Sequence, residues 1–172
     1  AVAMLSLHGS IFLTQKTEGT VLARTKRLMP KLMLTFFALM TITITWTAIL
    51  GPRLTDNFFE RPWMAAFPVL ALGATLLAWW LIRAGRYLAA FLSSSSMIAL
   101  LLATVACGLY PIMVPSRINK AYDLTVHNSA SADPTLTVML VIALLGLPFV
   151  FLYTAGIYYF FRGKVVLDET SY

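Results

Sequence analysis

The sequence predicts an all-α integral membrane protein, a helical bundle of four complete transmembrane helices preceded by a truncated first one. Three observations predict it. Of 172 residues, 59% are hydrophobic and 12% are charged, whereas a soluble domain averages about 45–50% apolar and about 25% charged. Four uncharged apolar runs each reach the roughly 20 residues that a helix needs to cross a bilayer core about 30 Å thick. The basic residues fall in the connectors between those runs and not within them.

This balance leaves too little polar surface to cover a globule, and the mean hydropathy of +0.80 agrees. A soluble enzyme, a disordered chain and a disulfide scaffold are excluded. Residues 1–172 read as one transmembrane helical domain. The single cysteine, Cys107, sits inside an apolar run and reads as a small packing residue. The net charge of +6 does not point to nucleic acid, because the basic residues form no patch interleaved with stacking aromatics.

The elements follow in order. The run 1–14 is apolar but too short to span. With no Met at position 1 and no basic segment before it, it reads as the end of a helix in a longer protein and not as a signal peptide. Residues 16–31 (KTEGTVLARTKRLMPK) form a polar, basic link, helical in part. Val21, Leu22, Leu28 and Met29 suit one side of an interfacial helix, with Arg24, Lys26 and Arg27 near lipid phosphates; a plain charged link is the simpler alternative. The first full span is 32–50, stopped by Gly51-Pro52. Its alternating Thr41, Thr43, Thr45 and Thr47 imitate a strand. Backbone in lipid must satisfy its own hydrogen bonds, so the segment is assigned as helix, its hydroxyls bonding back one turn. The second span, 63–82, ends at Arg83. The third, 87–110, ends at Pro111. The fourth, 135–161, ends at Arg162 and carries Pro148, which predicts a kink.

The connectors set the orientation. Segment 16–31, the turn with Arg83 and Arg86, and the tail 162–172 with Arg162 and Lys164 alternate along the chain and belong on one side. They hold nine of the thirteen basic residues. Arg53, Arg61, Arg117 and Lys120 lie in loops 51–62 and 111–134. The positive-inside bias makes the first side, with the C-terminus, cytoplasmic and the two loops external. In the second loop, Ser131 or Asp133 is expected to cap the last span, with Pro134 in its first turn.

Ionisable groups at membrane depth mark proton and substrate paths, and the four complete spans contain none. No catalytic residue is therefore expected in this chain. His8, in the truncated run, is the exception. Its imidazole has the chemistry of a haem ligand, but no second intramembrane histidine stands opposite it, and a hydrogen-bonded structural role is the plainer reading. His127 falls in an external loop. No metal-type His or Cys spacing and no glycine-rich phosphate loop is present. Ser93–Ser96 fills one helical turn. Small hydroxyl residues permit close helix approach and interhelical hydrogen bonds, while lining a water or quinone path is the sharper alternative. Trp79, Trp80 and Ser94 are the candidates for quinone or lipid contact. Trp46, Trp63, Trp79, Trp80, Tyr87 and Tyr110 sit mostly near span ends, as interfacial aromatic belts do.

The segments HGSIFLTQKTEGTVLART (8–25), YPIMVPS (110–116), LTVHNSASADPTLTVML (124–140) and PFVFLYTAGIYYFFRGKV (148–165), with the terminal Tyr172, resemble subunit II of the cytochrome bd-type quinol oxidases, including the cyanide-insensitive ones. Residues 32–82 match in hydropathy alone. The resemblance implies the C-terminal half of an eight-span subunit, beginning inside the fifth span. It implies a bacterial inner-membrane heterodimer with a similarly folded subunit I, which carries two b-type haems, one d-type haem and the quinol site. That complex oxidises quinol, reduces oxygen to water and generates a proton gradient. The partners expected are subunit I, small single-span accessory subunits, membrane lipids and a structural quinone. The competing readings are half of a small-molecule transporter and a membrane assembly or anchoring protein.

Overall fold

The computed structural model describes residues 1–51, 53–116 and 118–163. Pro52 of the Gly51-Pro52 stop, Arg117, and Lys164 with the rest of the tail to Tyr172 lie outside the described residues. The described residues form two units, 1–109 and 110–163.

The first unit contains α1 (Val2–Lys16), α2 (Gly19–Leu50), α3 (Arg53–Glu60), α4 (Ala66–Arg83) and α5 (Tyr87–Leu109). A single 3-10 turn, Pro62–Ala65, leads into α4. Each long helix buries one stripe at helical spacing. On α1 the stripe is Leu7, Ser10, Ile11 and Thr14. On α2 it is Thr25, Met29, Met33 and Phe36, and on α4 it is Ala71, Thr75, Ala78 and Leu81. On α5 it runs through Ala90, Ser93, Ser94 and Met97. These i, i+3, i+4 stripes meet in one core around Leu7, Ile11, Met29, Met33, Ala78, Ala90 and Met97.

The opposite faces are as apolar as the core. Leu34, Ile49, Val69 and Leu102 are all exposed by more than 60%. That much exposed apolar surface is costly in water and is the normal outer face of a bundle whose solvent is lipid. Four helices are long and apolar enough to cross a bilayer: Gly19–Ile49, Pro62–Arg83, Tyr87–Leu109 and Asp133–Phe160. The chain is thus an all-α membrane protein, as its composition requires.

The main departure from expectation is α2. The segment read as a basic link is helical from Gly19, and the helix runs unbroken through Pro30 to Leu50. Leu, Ala, Arg, Lys and Met are strong helix formers, and burial of Thr25 and Met29 on the core side carries the helix past the proline. Thr41 and Thr43 behave as read: Thr41 Oγ1 donates to the Phe37 carbonyl at 3.0 Å and Thr43 Oγ1 to that of Leu39 at 2.8 Å.

The turn between α4 and α5 follows from one glycine. Gly85 has φ +70°. Its N–H donates to the Ile82 carbonyl at 3.1 Å, and the Arg86 N–H to that of Leu81 at 2.9 Å. This is the Schellman pattern, in which a left-handed residue closes the last carbonyls of a helix. It lets α5 return directly against α4.

In the second unit, β1 (Ile112–Val114) pairs antiparallel with β2 (Leu124–Thr125). A 3-10 turn, Lys120–Tyr122, lies between them. α6 (Asp133–Phe160) follows. The N-cap of α6 is Ala132 and no side chain caps it, so neither Ser131 nor Asp133 takes the expected role. Asp133 instead occupies the first turn, where its charge complements the helix dipole. Pro148 lies inside α6, which continues through it to Phe160. No residue of α6 is buried, and its whole circumference is apolar.

Candidate functional site

The polar chemistry inside the first unit converges where α1 crosses α5. His8 lies on α1, one residue from the buried Leu7. Its Nδ1 is 2.8 Å from the Oγ of Ser94, which is fully buried. Ser94 Oγ also donates to the Phe91 carbonyl at 2.8 Å. A hydroxyl has one proton. With that proton on the Phe91 carbonyl, the Nδ1–H of His8 donates to Oγ, and this network assigns the tautomer. The imidazole also stacks on the Phe91 ring, centroids 4.7 Å apart at 25°. Phe12, one turn along α1, touches the same ring at 5.7 Å.

The serine turn of α5 divides its work. Ser93 Oγ donates across to the Ala74 carbonyl of α4 at 2.8 Å. Ser94 faces α1. Ser95 and Ser96 bond back along α5, to the Phe91 carbonyl at 3.0 Å and the Leu92 carbonyl at 3.1 Å. Two of the four hydroxyls therefore tie α5 to its neighbours. Interhelical bonds of this kind stabilise membrane bundles by about 0.6 kcal/mol each.

Of the candidates named from the sequence, His8 and Ser94 are brought together. Trp79 and Trp80 stand apart on the outer surface of α4, 39% and 56% exposed. The Arg83 guanidinium lies over the Trp79 ring at 4.2 Å, a cation–π pair suited to a helix end at the headgroup level. His127 is exposed on the loop after β2, its N–H donating to Thr125 Oγ1 at 3.3 Å.

Two anchors escaped the sequence reading. Asn57 of α3 donates from Nδ2 to the Cys107 carbonyl at 2.9 Å and more weakly to that of Gly108 at 3.4 Å. These are end carbonyls of α5, which have no partner within their own helix. Asp123 is buried, and its Oδ1 accepts the Ser116 N–H at 2.6 Å. Asn128 donates from Nδ2 to the Asp123 carbonyl at 2.9 Å and accepts the Thr125 N–H at 2.7 Å. Asn and Asp favour such turn bonds, the one signal that marks them in sequence.

Haem needs an axial donor. The His8 ring retains an Nε2 lone pair, but its Nδ1 and one face are committed to Ser94 and Phe91. Among the described residues no group of three or more His, Cys, Asp or Glu side chains is placed to hold a metal. The donor set here fits helix packing better than ligation.

The profile of the family described as cytochrome bd terminal oxidase subunit II matches residues 1–161. This chain belongs to that family. The cytochrome bd ubiquinol oxidase subunit 2 of Bacillus subtilis (strain 168) is 32% identical over 163 residues, 94% of this chain and 47% of that protein. The cytochrome bd-I ubiquinol oxidase subunit 2 of Escherichia coli (strain K12) is 29% identical over 113 residues, 66% of this chain and 30% of that protein. A probable cytochrome oxidase subunit 2 of Haemophilus influenzae is 33% identical over 102 residues, 59% of this chain and 27% of that protein. The chain thus spans about half the length, or less, of the curated relatives it matches. As a cytochrome bd subunit II chain it is a multi-pass membrane protein, and the resemblance drawn from segments 8–25, 110–116, 124–140 and 148–165 is borne out. The His8–Ser94 contact joins two of the helices in this half of the family's length.

Proposed function

We propose that this chain works in a quinol:oxygen oxidoreductase of the bacterial cytoplasmic membrane, beside a haem-bearing subunit I. The match to the subunit II family over residues 1–161 carries the proposal. In it, subunit I oxidises quinol and reduces oxygen to water, and this chain supplies shape. Its helices hold subunit I in a dry, fixed environment, which is what a protein contributes to cofactor chemistry. No haem ligand or catalytic group is assigned to this chain. The engagement of His8 with Ser94 and Phe91 supports that assignment. So does the sequence of α4, α5 and α6, which has no ionisable side chain of the kind that marks a proton path between their end turns. The nine-to-four division of basic residues supports a cytoplasmic C-terminus.

The test is purification of the complex with and without this chain, followed by reduced-minus-oxidised absorption spectra and quinol oxidase assays. Loss of haem bands and activity without the chain is expected. Full haem content and activity in subunit I alone overturns the supporting role. Loss of haem bands in a His8→Ala complex that still assembles overturns the assignment of haem to the partner.

A further inference from the structure

α1 and α2 form an antiparallel hairpin about the extended residues Thr17 and Glu18. The two helices do not close flush along one side. Gly9, Phe12 and Leu13 of α1 and Thr25, Leu28 and Leu32 of α2 line an apolar groove of about 480 Å³, a size in the range of small-molecule clefts, ~300–1,000 Å³. Gly9 lines it, and the space beside this residue is open: a Cβ here would meet nothing within 4 Å.

The charge beside the groove is predominantly positive, Glu18 at the N-cap of α2 being the one acid on the hairpin. Arg24, Lys26, Arg27 and Lys31 fall within eight positions, and no Asp or Glu occurs between positions 19 and 55. Lys26 turns away, its Nζ lying 5.2 Å from the centre of the Tyr87 ring on α5. Arg24 and Lys31 stand one turn before and one turn after Leu28, on the same stripe of α2, and both are exposed. An apolar trough with cations along its lip complements a molecule with a hydrocarbon tail and an anionic head. Long cationic side chains reach to the interface while their stems stay in apolar surroundings.

We infer that the α1–α2 groove seats one acyl chain of an anionic phospholipid, with the lipid phosphate held by Arg24 and Lys31. A neutral quinone tail would fill the trough but gains nothing from the cations. A zwitterionic lipid gains less from them than an anionic one. The bound lipid ties α1 to the basic first turns of α2. The inference requires that these helices lie in a bilayer and is independent of the oxidase reaction.

The test uses the full protein purified with its native partners in mild detergent, with retained phosphatidylglycerol counted by native mass spectrometry. Gly9→Leu sets a side chain beside the groove at a position where the Cβ meets nothing within 4 Å and raises helix propensity; an unchanged circular dichroism spectrum of the variant complex checks that the fold is retained. This variant is expected to lose one phosphatidylglycerol per complex. In delipidated protein, Arg24→Gln with Lys31→Gln should weaken rebinding of phosphatidylglycerol by roughly 25-fold, about fivefold for each surface charge removed, and weaken phosphatidylcholine, whose phosphate charge is offset by its choline, by less. Unchanged phosphatidylglycerol retention in Gly9→Leu overturns the inference. So does equal rebinding of phosphatidylglycerol by the double variant and wild type. Loss of a co-purified quinone from Gly9→Leu, with no loss of phosphatidylglycerol, assigns the groove to quinone and overturns it as well.

Discussion

His8 Nδ1 and Ser94 Oγ lie 2.8 Å apart across 86 positions of sequence, and this contact locks α1 onto α5. The serine hydroxyl donates its hydrogen bond to the Phe91 carbonyl of its own helix, so its oxygen is left to accept from the histidine N–H. Phe91 then supplies the stacking surface for the same ring. One imidazole therefore reads two features of α5, a hydroxyl and an aromatic face, and the crossing has a defined register.

Removing either partner should show that coupling. His8→Ala forfeits an interhelical bond worth ~0.6 to 1.7 kcal/mol and a ring contact worth ~0.5 to 1.5 kcal/mol, an expected loss of about 1–3 kcal/mol. Ser94→Ala should cost less, and the double variant less than the sum, because both remove the same bond. Denaturant unfolding of the purified complex measures the cycle; strict additivity would mean that the bond contributes nothing.

The serine turn offers an internal control. Ser93→Ala deletes the bond from α5 to the Ala74 carbonyl of α4 and should destabilise by about 0.6 kcal/mol. Ser96→Ala deletes a bond within α5 on an exposed face and should be neutral within ~0.5 kcal/mol. Equal effects in thermal unfolding would contradict the division of labour among the four hydroxyls.

Ala78 and Ala90 have no exposed surface, one on α4 and one on α5. Small residues let membrane helices approach closely. Ala90→Leu should therefore overpack the contact and cost about 1–3 kcal/mol, while the lipid-facing Leu88→Ala, at a position 64% exposed, should change stability by less than about 0.5 kcal/mol. Melting curves of the two variants decide the matter.

Asn57 closes the end of α5. Asn57→Ala leaves the Cys107 carbonyl without the side-chain donor 2.9 Å away, at an expected cost of about 1–3 kcal/mol. Hydrogen exchange should report it as faster exchange in the last turn of α5, with the middle of the helix unchanged.

In the loop between the two strands, Asp123→Asn keeps an acceptor for the Ser116 N–H but removes the charge. It should cost less than Asp123→Ala, which forfeits a charge-assisted bond worth ~1.5–3 kcal/mol. Limited proteolysis across 110–132 is expected to rank them wild type, Asn, Ala from slowest to fastest. Cleavage of the Asn variant as fast as the Ala variant would mean that charge, not geometry, orders the loop.

Local composition determined the membrane fold class, the four spans, the helical state of the Thr41–Thr47 segment and the interhelical role of the serine turn, because lipid forces every apolar run of that length into a helix. It also marked His8 and Ser94 separately, since polar groups are rare in such runs. What composition could not decide was pairing. That His8 meets Ser94, that Ser93 turns to Ala74, and that Asn57 reaches Cys107 depend on helix rotation and crossing, which the buried stripes of α1, α2, α4 and α5 settle jointly. The basic segment 16–31 reads as a link while its polar residues are weighed alone; it becomes the start of α2 because Thr25 and Met29 find a core to enter. Ser131 and Asp133, plausible caps by type, yield to Ala132 because backbone geometry at the start of α6, and not residue preference, selects the first turn.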